Sequence, residues 1–494
     1  MMKKIFIVVI FSLIFVLIGC ANSTVDKLDE VISLINNAIP NKIYKDTTLF
    51  YSDDNDVQIA YFSDDIEIID GRLIYPFPNT DVEITLNIHL TYENDKHLIV
   101  RTITLATKND LPKIPEIHIT VDSSINSKEE YVNGSLDLID FDDNNNSSLL
   151  LDDATMRIRL RGNSTLDMHK KSYKIKFDSK QYMFANYKEK DWVLLANHAD
   201  QSLIRNALAF KMASKLNMEF VPTVNFVDVY INGEYQGNYL LTDQVEVTNN
   251  RVNIEENSSA IDTGYLIEFD KRLYQLNFVT NENYFMIDSI PFVIKTPDFN
   301  DETYLDAHYN YIESYMRNVF DVLKEQGDYR QYIDEASFID WYIVNEVFKN
   351  VDSGYSSVFY YKDSQGLLKM GPVWDFDLST GNYGHLEAEA RGPEGRYTSR
   401  EDKNILCHYL MQNQTFRTAL KTRWLEVYDE VILGLLDDIN PTMDSITRSR
   451  YHNFLKWDII GIENQWYTAP DILERDTYHK QVQFLRAFLI DRIR

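Results

Sequence analysis

The chain has 494 residues, with 76 acidic side chains against 49 basic ones and a formal charge of −27. Such a balance argues against a nucleic-acid ligand, which needs basic surface to displace counterions, and it repels an anionic bilayer. Two cysteines, 32 Tyr and 26 Phe point to a fold held by packed cores rather than by disulfides, and the length suits two or three domains.

Residues 1–20 read as an export signal. Lys3 and Lys4 precede an apolar stretch over 5–18 that is too short, and too close to the N-terminus, for an ordinary spanning helix. It ends in Leu17-Ile18-Gly19-Cys20, which looks like the lipobox of bacterial lipoproteins. On that reading Cys20 carries the lipid, and the protein is anchored to the cell membrane on its extracytoplasmic side. Residues 21–41 give a polar tether and a short amphipathic helix, with Val25, Leu28, Val31, Ile32, Ile35 and Ile39 at helical spacing.

From 42 to 110 the pattern is β, with alternating runs at 57–61 and 82–90, a further run at 99–105, and turns between them. That predicts a small all-β sandwich. Residues 66–73 and the strand after them resemble the small bacterial Ig-like domains found ahead of surface enzymes. Pro112 and Pro115 mark a stiff linker. From 115 to 494 the chain reads as α+β. Strands are expected near 117–121, 156–161, 173–177, 226–231, 237–241 and 264–269. Helices are expected near 203–216, 303–324, 330–349, 413–437 and 470–492. Cys407 has no second ligand pair beside it and reads as buried packing.

The usual nucleotide signatures, the zinc helix H-E-x-x-H and the G-x-S-x-G elbow are absent. Three stretches could carry chemistry instead. The first is a basic β-hairpin. Arg157, Arg159 and Arg161 share one face of their strand, as Lys174 and Lys176 do of theirs. So much positive charge on one patch suggests an anionic ligand, to which the turn Gly162-Asn163-Ser164-Thr165 can offer N–H groups and hydroxyls. The second runs from Asp191 to Asn206. Arg205 lies near the positive end of a helix dipole and needs a carboxylate, either Asp200 or an acid of a ligand site. The third has helix 338–348, the loop Asn350-Val351-Asp352-Ser353-Gly354, a hairpin, and Val373-Trp374-Asp375-Phe376-Asp377. Helix, acidic loop, hairpin, acidic loop is the layout that kinases use for catalytic and metal-binding loops. If extended, Asp375 and Asp377 point the same way and both could meet a metal.

Four ordered blocks carry a resemblance. They are Arg161-Gly162-Asn163-Ser164 with Lys170-Lys171-Ser172-Tyr173-Lys174-Ile175-Lys176; Trp192-Val193-Leu194-Leu195-Ala196-Asn197 through Arg205-Asn206; Val229-Tyr230-Ile231-Asn232-Gly233-Glu234-Tyr235-Gln236-Gly237; and Val373-Trp374-Asp375-Phe376-Asp377-Leu378. Together they resemble the CotH kinases, a family of atypical, kinase-like phosphotransferases. The resemblance implies a diverged protein-kinase-like domain over 115–494 that uses ATP with Mg²⁺ or Mn²⁺ and phosphorylates a protein Ser or Thr hydroxyl. It implies that Asp352 is the catalytic aspartate and Asp375 a metal ligand. Lys171 or Lys174 serves the phosphates, and Arg161, Lys176 and Arg205 belong with that group. Glu246 takes a nucleotide-facing place. One departure stands out: Ser357 occupies a position where family members often have Asn, a better metal ligand.

Two other readings of the same residues remain. The fold could be a catalytically inactive binding module of the cell envelope, or Asp375-Phe376-Asp377 could be the D-x-D of a sugar transferase.

Overall fold

In the computed structural model, the described residues are 24–494 apart from 54–55, 93–94, 258, 276–282, 299, 302–303, 385–390 and 463–467. Cys20 and the rest of the N-terminal signal lie outside them. The chain divides into two units between Leu111 and Pro112.

The first unit begins with α1 (Thr24–Ala38), whose Val31 and Ile35 are buried one helical turn apart. Strands β1 (Lys42–Ile43), β2 (Thr47–Thr48), β3 (Val57–Phe62), β4 (Ile68–Ile69), β5 (Arg72–Leu73), β6 (Val82–Tyr92) and β7 (Asp95–Leu105) follow. They form a four-stranded sheet in the order β1-β7-β6-β3 and a three-stranded sheet in the order β2-β5-β4. Alternation along β6 sends Ile84, Leu86, Ile88 and Leu90 inward, where they join Val31, Ile35 and Leu73 in one core.

The second unit mixes strands and helices. Its first seven strands are β8 (Glu116–Val121), β9 (Val132–Phe141), β10 (Ser147–Arg161), β11 (Ser172–Tyr182), β12 (Lys188–Leu195), β13 (Asn225–Ile231) and β14 (Glu234–Asp243). They close into a barrel in the order β10-β11-β12-β14-β13-β8-β9. All neighbours are antiparallel except β13 with β8. Ile117, Leu136, Ile158, Ile175, Trp192 and Leu241 fill its interior. The alternate residues Val193, Leu195 and Leu240 point out of the barrel into a larger core, so the β12–β14 wall belongs to both.

That larger core is built on a second sheet. Strands β15 (Tyr265–Phe269), β16 (Tyr284–Ile287), β17 (Ile290–Thr296), β18 (Val358–Lys362) and β19 (Leu368–Met370) lie in the antiparallel order β16-β17-β15-β18-β19. Around it are α2 (Arg205–Lys215), α3 (Arg272–Gln275), α4 (Asp306–Lys324) and α5 (Glu335–Val347). Further helices lie between Ile405 and Ile493. The single helix expected over 413–437 is instead Gln414–Val427 and Gly434–Ser445, joined by a π turn over Tyr428–Leu433. The expected 470–492 helix spans Tyr478–Ile493.

Arg205 opens α2 and is completely buried. Its guanidinium pairs with the equally buried Asp200, which also accepts from the Arg205 backbone N–H at 2.8 Å and the Ser202 N–H at 2.9 Å. Arg205 Nε donates to Thr380 Oγ1 at 2.7 Å. This corrects the expectation that Arg205 meets phosphate. Its Nε and Nη1 are engaged within the core, where a bare cation at a helix start would otherwise face the wrong end of the dipole. Asp200→Ala is expected to leave that cation stranded and to lower stability by about 3–5 kcal/mol in urea unfolding. A loss below about 1 kcal/mol would contradict the pairing.

Candidate functional site

A cleft of ≈ 1030 Å³ opens within the second unit. One wall comes from the barrel: Arg161 at the end of β10, the turn 162–165, Leu195 at the end of β12, and Ala196 to His198 after it. A second comes from residues 244–247, where the chain leaves β14, and from Glu268 of β15 and Lys295 of β17. The remaining wall is acidic and contains Asp352, Asp375 and Asp377.

Each acidic loop is set by local structure. Asp334 caps α5 by accepting from the Ser337 N–H. After α5 the chain turns at Lys349, where φ is +48°. Asn350 then steadies the loop: its amide donates to Asn345 Oδ1 at 3.0 Å, and its oxygen accepts from the Asp352 N–H at 3.1 Å. Gly354 has to be glycine, because a Cβ there would lie 2.3 Å from the Lys403 carbonyl carbon. On the other side of the β18–β19 hairpin, the backbone at Asp375 is left-handed, with φ +67°. Phe376 is fully buried against Phe348 and Phe210, and its N–H donates to Asn206 Oδ1 at 2.8 Å. The extended geometry expected for Asp375 and Asp377 is therefore absent. The buried Phe376 ring and the turn at Asp375 place the two carboxylates, and both still line the cleft.

The electrostatics follow from crowding like charges where water is scarce. Burial and the neighbouring Asp375 push the Asp352 carboxyl up to about 7, while Arg272 opposes the shift. Burial also raises Asp375, against the pull of Arg161, Arg272 and a hydrogen bond from Ser357. Asp377 is raised well above its ordinary value, by burial first and then by Asp375, Asp352 and Asp200. Water still reaches Asp352 and Asp375 from the cleft, whereas Asp377 is only 9% exposed. Arg161 lies over the Trp374 ring at 5.3 Å, and burial lowers its proton affinity. Arg272 is held by Asp270 through Nε at 2.6 Å and by Glu268 at 3.2 Å.

The family model for CotH kinase protein matches residues 158–494. The chain belongs to the CotH kinase family. The matched stretch contains every residue that lines the cleft. No curated protein matches the chain.

Within this CotH domain, Arg161, Glu246, Asp352, Asp375 and Asp377 converge on the cleft. Burial pushes Glu246 up to about 7, and Arg251 pairs with it. The predicted phosphate lysines do not line the cleft. Lys171 Nζ donates to the Leu166 carbonyl at 2.5 Å. Lys174 and Lys176 both meet Asp191, at 2.8 and 3.8 Å. Their strand sends Tyr173, Ile175 and Phe177 into the barrel, which turns the lysines to its outer face. Arg157 and Arg159 sit over the Tyr131 ring, so Arg161 alone of that strand's arginines reaches the cleft.

Other CotH-domain residues line the cleft without having been singled out in the sequence. Lys170 is buried, and its Nζ is spent on the Ala196 and Asn238 carbonyls and on Asn453 Oδ1. Glu268, Lys271, Arg272 and Lys295 come from stretches with no motif. The one available signal was the charged run Asp270-Lys271-Arg272 directly after a predicted strand. Gly162 (φ +97°) is the member of the turn that cannot change, because a Cβ would lie 1.8 Å from Thr165 Oγ1.

The donor set fits a hard divalent cation. Asp375 and Asp377 offer carboxylate oxygens whose burial and mutual repulsion a cation would relieve. Among the described residues, no group of three His, Cys, Asp or Glu side chains forms a ready-made cage. Mg²⁺-like ions tolerate this, since they keep waters and take substrate oxygens as ligands.

The three carboxyls hold protons more tightly folded than unfolded. Their contribution to stability is therefore full below about pH 4, the range of an unfolded carboxyl, and is lost as pH rises through each raised folded value, which for Asp352 is about 7. In chelator at pH 8, Asp377→Asn is expected to unfold about 2 °C or more above the wild type, with the gap closing at pH 4. Equal midpoints at pH 8 would contradict the crowding.

Proposed function

We propose that the cleft catalyses transfer of the γ-phosphoryl group of ATP to a Ser or Thr hydroxyl of a protein, with Mg²⁺ or Mn²⁺ held by Asp375 and Asp377. The domain is read as a diverged kinase-like fold, with the barrel and the helical part as its two lobes. The convergence of Asp352, Asp375, Asp377 and Arg161 on one cleft, within a CotH kinase domain, supports this reading. The volume also suits a nucleotide.

Asp352 accepts the proton of the attacking hydroxyl. A carboxyl whose proton affinity lies near neutrality suits that task. The hydroxyl oxygen forms the new bond to the γ-phosphorus, the bond from that phosphorus to the β,γ-bridging oxygen breaks, and ADP leaves. Arg161 and Arg272 oppose the negative charge that builds on the phosphoryl oxygens. The turn 162–165 offers backbone N–H groups to the phosphates. A metal on Asp375 and Asp377 would supply further neutralisation of the triphosphate.

We also propose that Cys20 carries a lipid anchor and that the domain works outside the cell membrane, with the N-terminal unit, read as Ig-like, as its spacer. No helix among the described residues is long and apolar enough to cross a membrane.

Asp352→Ala is expected to lower phosphoryl transfer by about 10²–10⁴-fold while keeping the unfolding midpoint at or above that of the wild type. Asp375→Ala is expected to lose the stabilisation that Mn²⁺ and ATP give the wild type, about 2.7 kcal/mol at a hundred times the dissociation constant. Full transfer by both variants would overturn the assignment. Wild-type protein that binds Mn²⁺ and ATP but transfers nothing would favour the inactive binding module.

A further inference from the structure

The loop that presents Asp352 leans on a distant stretch of chain. Thr398, completely buried, places its hydroxyl 3.2 Å from Ser353 Oγ. Asn404 donates to the Ser353 carbonyl at 2.9 Å, and Gly354 packs directly on the Lys403 backbone. Asp352 is thus braced from below by residues 397–404.

That brace is itself clamped. Glu346, in the last turn of α5, is 9% exposed and accepts from the Tyr397 N–H through Oε1 and from the Thr398 N–H through Oε2, both at 2.8 Å. Arg492, on the helix Tyr478–Ile493, pairs with the same carboxylate. It also donates to the Glu346 carbonyl and to the Pro393 carbonyl, each at 2.9 Å, and to the Gly395 carbonyl. Lys349 adds bonds to the Gly392 and Glu394 carbonyls at 2.7 and 2.6 Å. The guanidinium therefore joins three pieces of chain: the end of α5, the segment 392–398 and the C-terminal helix. None of its bonds reaches the cleft.

We propose that Arg492 and Glu346 are positioning residues for Asp352, fixing the brace on which the loop 351–354 rests, a role that depends on the phosphotransferase reading of the cleft. Lysine cannot reproduce the arginine's fork of donors, but it can keep one bond and the charge. Glutamine at 346 keeps one acceptor oxygen and sets an NH₂ against an amide N–H.

The test combines transfer kinetics with amide hydrogen exchange on Arg492→Met, Arg492→Lys, Glu346→Gln and the exposed control Arg494→Met. Arg492→Met is expected to lower kcat at least tenfold with KM for ATP within twofold. Arg492→Lys should restore part of kcat, and Arg494→Met should match the wild type. Exchange should rise at least tenfold at 397–398 and 351–354, with α2 unchanged. An unchanged kcat, or losses in kcat matched by losses in ATP affinity and protection throughout the domain, would overturn the proposal. If the wild type transfers no phosphate, the phosphotransferase reading fails by itself. Exchange then decides alone, and unchanged protection at 351–354 in Arg492→Met would overturn the brace.

Discussion

Three carboxylates crowd one cleft floor where burial alone already disfavours their charge. Asp375 raises the proton affinity of both Asp352 and Asp377, and Asp352 raises that of Asp377. Arg161 and Arg272 answer them only in part. A protein tolerates such an arrangement where a site needs it, and the surrounding fold supplies the rigidity that repulsion would otherwise undo. The surroundings here fit that demand. Phe376 is driven into the core between two charged neighbours, Asn350 and Asn206 hold the two loop backbones, and the buried Asp200–Arg205 pair reaches across to Thr380. Thr380 in turn donates its N–H to the Phe348 carbonyl, so the two acidic loops share one support.

The barrel contributes a stiff edge rather than a patch of charge. Three arginines alternate along β10, yet two of them lie on an aromatic ring outside and only the last reaches the cleft. Two lysines of β11 neutralise Asp191 on the next strand. In a chain of net charge −27, many basic groups among the described residues thus serve local acidic partners. Arg161 differs because it is buried beside Asp375 and Asp377, where negative charge already gathers, and Arg272 adds its charge there while paired with Asp270 and Glu268.

Some of this was legible in the sequence. The helix, loop, hairpin and loop around Asp352 and Asp375 follow from local periodicity and turn residues, and the strands that pack the barrel alternate clearly. The first half of β10 is exposed and bulged and lacks alternation, so nothing in residues 147–155 announces the barrel's closure. Period-two reasoning puts Lys174 and Lys176 on one face but is silent on which end of a closed barrel meets the cleft. Lys170, the neighbour of a predicted residue, lies before β11 and turns inward instead. Arg272 and Lys295 reach the site only because β17 pairs with β15 and β15 with β18, a long-range register that no short motif encodes. The left-handed turn at Asp375 was equally hidden, since aspartate adopts it at modest cost.

The central claim is that the basic hairpin and the acidic loops act on one ligand. The most direct test is a double-mutant cycle on Mn²⁺–ATP binding measured by titration calorimetry, with Arg161→Met, Asp375→Asn and the pair. Residues that share one triphosphate and its metal should couple by about 0.5 kcal/mol or more. Additive losses, or no loss from Arg161→Met, would place the two hairpins at separate tasks and contradict the account.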